Sequence, residues 1–240
     1  MSLTNFEGET FVAFVDISGF KDKVRANTET ATDTLKTFYN IGYTLLSHIG
    51  ENKDISGIFV SDCAILYVHN KKLSVQDKCG RILDIVKELN KECIEKNIML
   101  TTNIAYGNFV YKNRIEVDSN IEKSLVLGNA YIDAYIDSTK KMKACCCRML
   151  KKRSVNNVLD NNNSSIDDDV INSIKTSYVI TDENGYYYFW WQCKTEEKVN
   201  IYMERYKEIK KQYKGKDKVN EKFDKLCELT KNFSNETEQN

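Results

Sequence analysis

The segment at residues 11–15 constrains the fold more than any other part of the sequence. It is a run of five apolar residues rich in aromatic and β-branched side chains. Such a run predicts a strand buried on both faces, because a strand with one face in water alternates apolar and polar residues. The run ends at Asp16, and Gly19 follows where the backbone can approach a ligand closely. The sequence therefore predicts a central strand that presents a carboxylate beside a short loop.

Asp16 has two interpretations at this point. A carboxylate at a strand end suits a phosphate-bound divalent cation, since Mg²⁺ and Mn²⁺ prefer oxygen ligands and share them with substrate phosphates. The alternative is a structural role, in which Asp16 caps the short helix that begins near Lys21. The strand by itself leaves both open.

Length and charge restrict the classes of function. A chain of 240 residues can bury a substantial core, and we expect one main domain with additions. Its 35 basic and 35 acidic residues cancel, which argues against nucleic acid or an anionic membrane as the partner. The sequence shows neither a secretory signal pattern nor an apolar run that could span a membrane. We therefore expect a cytoplasmic protein whose eight cysteines are reduced.

The elements that follow Asp16 are predicted from hydrophobic periodicity. Apolar residues at spacings of three and four predict helices over residues 28–49 and 75–93. Continuous apolar runs predict a hairpin over residues 55–68, with Asp62 at its tip. The first half of the chain therefore contains two helices and a hairpin beside the central strand.

The second half is predicted to add strands, an insertion and a tail. A strand over residues 99–106 turns at Gly107 into a hairpin partner at residues 109–111, and Gly128 leads into a helix over residues 131–143. The remaining predicted segments are a strand at residues 145–150, a polar surface insertion with the composition of a disordered segment at residues 151–177, a hairpin at residues 178–191 and a charged helical tail at residues 195–240.

This order of elements indicates a fold class. Strands that pair through hairpins while helices return to one face favour an α+β sandwich with a mostly antiparallel sheet. In such a sheet the first strand lies beside the hairpin, so Asp16 and Asp62 can meet at one end. Two such carboxylates could hold two divalent cations about 4 Å apart and support a phosphoryl transfer. The alternative is that Asp62 only shapes the hairpin turn.

Four motifs resemble, in order and spacing, those of class III nucleotidyl cyclase domains. They lie at residues 12–20, 59–62, 104–107 and 128–135. The first, an apolar run followed by Asp16, a residue pair, Gly19 and Phe20, is similar to that of the pyrimidine cyclases of Pycsar antiphage systems. The resemblance implies a ferredoxin-like core, with a mostly antiparallel sheet and helices on one face, in a catalytic domain over residues 1–194.

The resemblance also implies a reaction and its partners. UTP or CTP would be converted to a 3′,5′-cyclic monophosphate and pyrophosphate by a homodimer with shared active sites. The product, cUMP or cCMP, would activate a separate effector protein in antiviral defence. The residues implied are Asp16, Asp62 and the carbonyl of Ile17 for two Mn²⁺ or Mg²⁺ ions, and Ser18, Gly19 and Phe20 for the triphosphate.

The helix after Gly128 departs from the cyclase pattern. The positions that supply an Asn and an Arg to the transition state in that family hold Ile132 and Ile136 here. Asn129 is the candidate for orienting the ribose. The candidates for supplying positive charge are Lys140, Lys141 and Arg148, with ordinary surface roles as the alternative for each.

Three interpretations of function follow. The positions that recognise a purine base in the family fall near Ile58 and Leu125, which are apolar; this disfavours a purine site of the usual kind and is compatible with a pyrimidine cyclase. An adenylate or guanylate cyclase of ordinary signalling is the first alternative. A catalytically inactive cyclase-like domain that binds a nucleotide or a protein is the second, and the loss of the Asn and Arg positions favours it.

Overall fold

The fold is built around its first strand, β1 (Phe6–Ile17). The computed structural model describes residues 3–47, 53–113, 124–139, 147–150, 179–181, 186–189 and 196–211, with single residues 170, 217, 220, 221, 224 and 227. Residues Phe11, Val12, Ala13 and Val15 of β1 are completely buried. Both faces of the strand are therefore covered, as the unbroken apolar run predicts.

The described strands form one eight-stranded sheet. Their order is β2-β3-β1-β4-β6-β8-β7, and β5 pairs with the other end of β4. Every pairing is antiparallel except that of β4 with β6. The strands are β2 (Ile55–Val60), β3 (Cys63–Val68), β4 (Leu100–Asn113), β5 (Ser124–Leu127), β6 (Cys147–Leu150), β7 (Val179–Thr181) and β8 (Tyr186–Phe189).

Helices pack on both faces of this sheet. The first three, α1 (Phe20–Ala26), α2 (Thr28–Ser47) and α3 (Val75–Glu95), share a core with Phe11, Ala13 and Val15. The fourth, α4 (Asn129–Thr139), packs against Val12 and Phe14. Successive strand residues point to opposite faces, so α4 lies on the other side from α2 and α3. The α+β class and the mostly antiparallel sheet are confirmed, whereas the expectation of helices on one face holds only for α1–α3.

The predicted hairpin around Gly107 is wrong. Strand β4 continues through this position without turning, from Leu100 to Asn113. Gly107 and Asn108 stand opposite Thr10 and Glu9 of β1, so both are part of the ladder. Because β1 begins at Phe6, earlier than its apolar core indicates, it offers pairing partners along almost the whole of β4.

The other predicted elements agree with the structure where it describes them. The helices predicted at residues 28–49 and 75–93 correspond to α2 and α3, and the hairpins at 55–68 and 178–191 to β2–β3 and β7–β8. The predicted insertion, apart from Val170, lies outside the described residues. Among those residues, no helix has the length and hydropathy that crossing a bilayer requires.

The C-terminal tail contains the helix α5 (Glu196–Lys211). Its Tyr206 and Ile209 are almost completely buried, and Arg205 forms a salt bridge of 3.3 Å with Glu95 at the end of α3. Helix α5 of the tail therefore docks on the domain of the same chain.

Two glycines, one directly before α4 and one in α3, provide a paired test of how the helices pack on the sheet. At Gly128, with φ +124°, a Cβ would lie 2.2 Å from the carbonyl oxygen of Asn108, so Gly128→Ala should lower the free energy of unfolding by roughly 2–4 kcal/mol. At Gly80 in α3 a Cβ would meet nothing within 4 Å, so Gly80→Ala should raise it by about 1 kcal/mol through helix propensity. Urea denaturation of both variants measures the two effects. Equal stability of Gly128→Ala and the wild type would contradict the close approach of α4 to β4.

Candidate metal centre

Asp16 lies where β1 reaches the end of the sheet. It is half-buried and stands opposite Cys63 of β3 on one side and Thr101 of β4 on the other. By strand alternation its side chain shares the α4 face with Val12 and Phe14. The position of Asp16 therefore follows directly from the register of β1.

Asp62 belongs to the two-residue turn between β2 and β3. Val60 and Cys63 close the hairpin as a register pair, and Ser61 has the left-handed φ of 53°. The backbone N–H of Ile17 donates to the carbonyl of Asp62 at 2.9 Å, which joins the end of β1 to this turn. The two aspartates, 46 positions apart in sequence, are thereby brought to the same edge of the sheet.

The structure also brings a third side chain to this edge. One carboxylate oxygen of Asp16, one of Asp62 and the Sγ of Cys63 all lie within 4.8 Å of one another. Cys63 was not among the predicted site residues. It directly follows Asp62, and the predicted antiparallel pairing of β1 with β3 would have placed it beside Asp16.

The thiol of Cys63 is a hydrogen-bond donor to the acid pair. Its Sγ lies 3.3 Å from Oδ1 of Asp16. Burial, followed by the negative charge of Asp16, raises the pKa of Cys63 well above its ordinary value. The thiol is therefore protonated at neutral pH. The two carboxylates supply hard oxygen ligands, so the donor set fits Mg²⁺ or Mn²⁺.

The loop after Asp16 is held by its own hydrogen bonds. The N–H of Ser18 donates to the carbonyl of Met99 at 2.8 Å, and its buried hydroxyl pairs with the hydroxyl of Thr101 at 2.8 Å. Gly19 then takes a left-handed conformation with φ 74°, and α1 begins at Phe20. Residues 17–20 thus lie beside the acid pair, with the Ser18 amide already engaged.

Asn129 does not join this group within one chain. The residue before it, Gly128, packs against Asn108 of β4, whereas Asp16 is in register with Thr101. Asn108 lies seven residues beyond Thr101, which is about 23 Å along a strand. Asn129 and Asp16 therefore lie at opposite ends of the same face of the sheet.

Arg148 is a buried residue, so a surface role for it is wrong. Its side chain is 4% exposed, and its Nε donates to Oδ1 of Asn103 at 2.8 Å. One terminal nitrogen donates to the carbonyl of Asp137 in α4 at 2.6 Å. Arg148 therefore connects α4 to the sheet. Lys140 and Lys141 lie outside the described residues.

Comparison with known proteins identifies the fold. No family model and no curated protein sequence matches the chain. The adenylyl cyclase CyaB from P. aeruginosa is 13% identical with a TM-score of 0.56, and the alignment covers 80% of this chain and 98% of that one. The guanylyl cyclase Cya2 is 13% identical with a TM-score of 0.51, over 78% and 93% of the two chains. The guanylate cyclase domain of RhGC from Catenaria anguillulae, solved in complex with GTP, is 13% identical with a TM-score of 0.50, over 78% and 98%.

The class of fold follows from these superpositions and the topology. The chain has the fold of the class III nucleotide cyclases, which confirms the fold expected from the four motifs. Within that fold it carries the acid pair formed by Asp16 and Asp62.

The hydrogen bond between Cys63 and Asp16 can be tested by alkylation. Because Asp16 helps to keep the thiol protonated, Asp16→Asn should lower the pKa of Cys63 and accelerate its reaction with iodoacetamide at pH 8 by roughly 3- to 10-fold. Peptide mass spectrometry measures the rate, and Cys227 in the same digest serves as the internal control. Identical Cys63 rates in the two proteins would show that the Asp16 charge does not reach the thiol.

Proposed function

We propose that this protein is a metal-dependent nucleotide cyclase that acts on a pyrimidine ribonucleoside triphosphate, UTP or CTP. The observation that carries the proposal is the convergence of Asp16 and Asp62 within a fold shared with adenylyl and guanylyl cyclases. The product would be a 3′,5′-cyclic monophosphate, which we propose acts as a second messenger on a separate effector protein in antiviral defence.

Each residue of the site has a proposed role. Asp16 and Asp62 hold two Mn²⁺ or Mg²⁺ ions, with the carbonyl of Ile17 as a further oxygen ligand. When bound, the ions lower the pKa of the ribose 3′-hydroxyl and neutralise the departing pyrophosphate. Because the amide of Ser18 donates to Met99, the amides of Gly19 and Phe20 remain for the triphosphate.

The reaction requires position and charge more than covalent chemistry from the protein. The ribose 3′-oxygen forms a bond to the α-phosphorus, the bond from that phosphorus to the β-phosphate oxygen breaks, and the hydroxyl proton passes to solvent. Asp16 and Asp62 would contribute by holding, at the sheet edge where the phosphates bind, the divalent cations that offset the negative charge of the phosphates. No residue of the chain forms a covalent intermediate in this scheme.

The choice of a pyrimidine rests on two apolar positions. Ile58 packs against the core on the α4 side of the sheet, and Leu125 lies in β5. Neither side chain can donate or accept the hydrogen bonds that distinguish adenine from guanine. The apolar side chains of Ile58 and Leu125 are consistent with a smaller pyrimidine base whose polar atoms are recognised by residues other than these two.

We further propose that the protein acts as a homodimer with shared active sites. Asn129 lies about 23 Å along the sheet from Asp16, so it can serve the same reaction only from a second subunit. The outer face of α4 carries an apolar stripe next to Leu127 that suits such an interface. Its members, each 45–47% exposed, are Ile132, Tyr135 and Ile136.

The loss of the usual Asn and Arg positions favours a second candidate function. With Ile132 and Ile136 at those positions, the chain would bind a nucleoside triphosphate without cyclising it. Binding of a triphosphate by calorimetry, with no cyclic product after prolonged incubation, would favour this alternative over catalysis.

The first test is turnover of the four ribonucleoside triphosphates with Mn²⁺, followed by mass spectrometry of the products. We expect a cyclic product from UTP or CTP, and its loss in Asp16→Ala and Asp62→Ala, because each change removes a ligand while leaving the core packing intact. Asp33→Ala, at an exposed site on α2, is the matched control and should keep full activity. Normal turnover in either site variant would reject the two-metal assignment, and cyclic AMP or GMP as the product would reject the pyrimidine assignment.

The shared site is tested by mixing two impaired variants, Asp16→Ala and Asn129→Ala. Half of the dimers that form at random contain one subunit of each kind, and each mixed dimer has one site with both residues intact, so activity should return to about a quarter of the wild type. Ile132→Glu should both dissociate the dimer in sedimentation velocity and abolish turnover. A mixture no more active than its components would contradict the contribution of Asn129 across the interface.

A further inference from the structure

The turn that carries Asp62 is attached to helix α2. The hydroxyl of Tyr39 donates to the carbonyl of Ser61 at 2.8 Å. Ser61 has the left-handed φ of 53°, a conformation that residues with a Cβ seldom adopt. Such a conformation persists where the surrounding contacts fix it, and this hydrogen bond is one of those contacts.

A second contact between the hairpin and α2 lies next to the first. The ring of Phe59 packs edge-on against Phe38, with 5.3 Å between centroids, and against Tyr39, with 5.7 Å. Gly42, one turn further along α2, leaves room for this ring, because a Cβ there would lie 2.2 Å from Cζ of Phe59. The ring of Phe59 thus occupies a slot on α2 formed by Phe38, Tyr39 and Gly42. The hydroxyl of Tyr39 lies at the end of this slot nearest to Ser61.

The hydroxyl of Tyr39 also feels the charge of Asp62. Burial, followed by the negative charge of Asp62, raises the pKa of Tyr39 above its ordinary value. The hydroxyl is therefore a permanent donor at neutral pH. Asp62 itself is half-buried and lies in the turn between Cys63 and the exposed Ser61, so the direction of its carboxylate depends on how the turn is held.

We propose that Tyr39 is a positioning residue, whose hydrogen bond to Ser61 keeps the carboxylate of Asp62 aimed at Asp16. The effect of Tyr39 on turnover rests on the proposed function, whereas its effect on the conformation of the turn does not. The single hydroxyl proton of Tyr39 is donated to the backbone carbonyl of Ser61 and not to a carboxylate, so this hydrogen bond acts on the site through the backbone of the turn. The α2 helix thereby belongs to the metal centre without supplying a ligand.

The first experiment measures the turn without reference to catalysis. The variant Tyr39→Phe keeps the ring and removes the hydroxyl, and Tyr43→Phe, 74% exposed on the same helix, is the matched control. The amide of Ile17 reports the position of the turn, because it donates to the carbonyl of Asp62. We expect its hydrogen exchange to be roughly 3- to 10-fold faster in Tyr39→Phe, the range that corresponds to the loss of one neutral hydrogen bond, and unchanged in Tyr43→Phe.

A second variant tests the slot by a different route. Gly42→Ala improves the helix propensity of α2 but pushes against the Phe59 ring, so the amide of Ile17 should exchange faster although the helix is intrinsically more stable. Unchanged exchange in both Tyr39→Phe and Gly42→Ala overturns the proposal, whatever their activity.

The catalytic consequence is measured with the substrate found for the wild type. In Tyr39→Phe we expect kcat to fall roughly 3- to 10-fold and the Mn²⁺ concentration for half-maximal activity to rise by a similar factor, with KM for the nucleotide changed less than about twofold. Wild-type kcat and metal dependence in this variant overturn the positioning role. If the wild type cyclises none of the four triphosphates, the proposed function fails, and the exchange of Ile17 alone decides whether Tyr39 holds the turn.

Discussion

The double pairing of β1 is the constraint on which the rest of the structure depends. This strand forms ladders with β3 on one edge and with β4 on the other, so its register is fixed from both sides. A shift of one residue would turn every side chain to the opposite face. Asp16 would then point toward α2 and α3, and Val15 toward α4. The buried positions of Phe11, Ala13 and Val15 thus keep Asp16 beside Cys63.

Much of this arrangement could be predicted from the sequence, because it depends on periodicity. The apolar run before Asp16 and the pattern around Asp62 indicate a central strand and a hairpin, and their convergence follows from antiparallel pairing. The continuous β4 could not be predicted in the same way, since Gly107 resembles a turn until the partner strand is known to extend to Phe6. Residue types such as glycine indicate where a turn can form, but they do not indicate how long a pairing strand from a remote part of the sequence is.

The side-chain environment of the site was harder to predict for a different reason. The buried Arg148 looks like a surface residue in the sequence, and only the structure supplies its acceptors, Asn103 and the carbonyl of Asp137. Cys63 likewise becomes chemically relevant only through the register that places it next to Asp16. The role of a charged side chain or a thiol depends on the groups around it in the fold, and here these groups are remote in sequence.

The position of β1 in the sheet has a consequence for biosynthesis. The strand leaves the ribosome before its two partners, which are made roughly 50 and 90 residues later. Until β4 has emerged, the nascent chain holds its most apolar segment with both edges unpaired. Such an edge invites pairing with other chains. The β2–β3 hairpin forms from local contacts in the meantime and can cover one edge early, so the edge that pairs with β4 is the one that stays unpaired longest during translation.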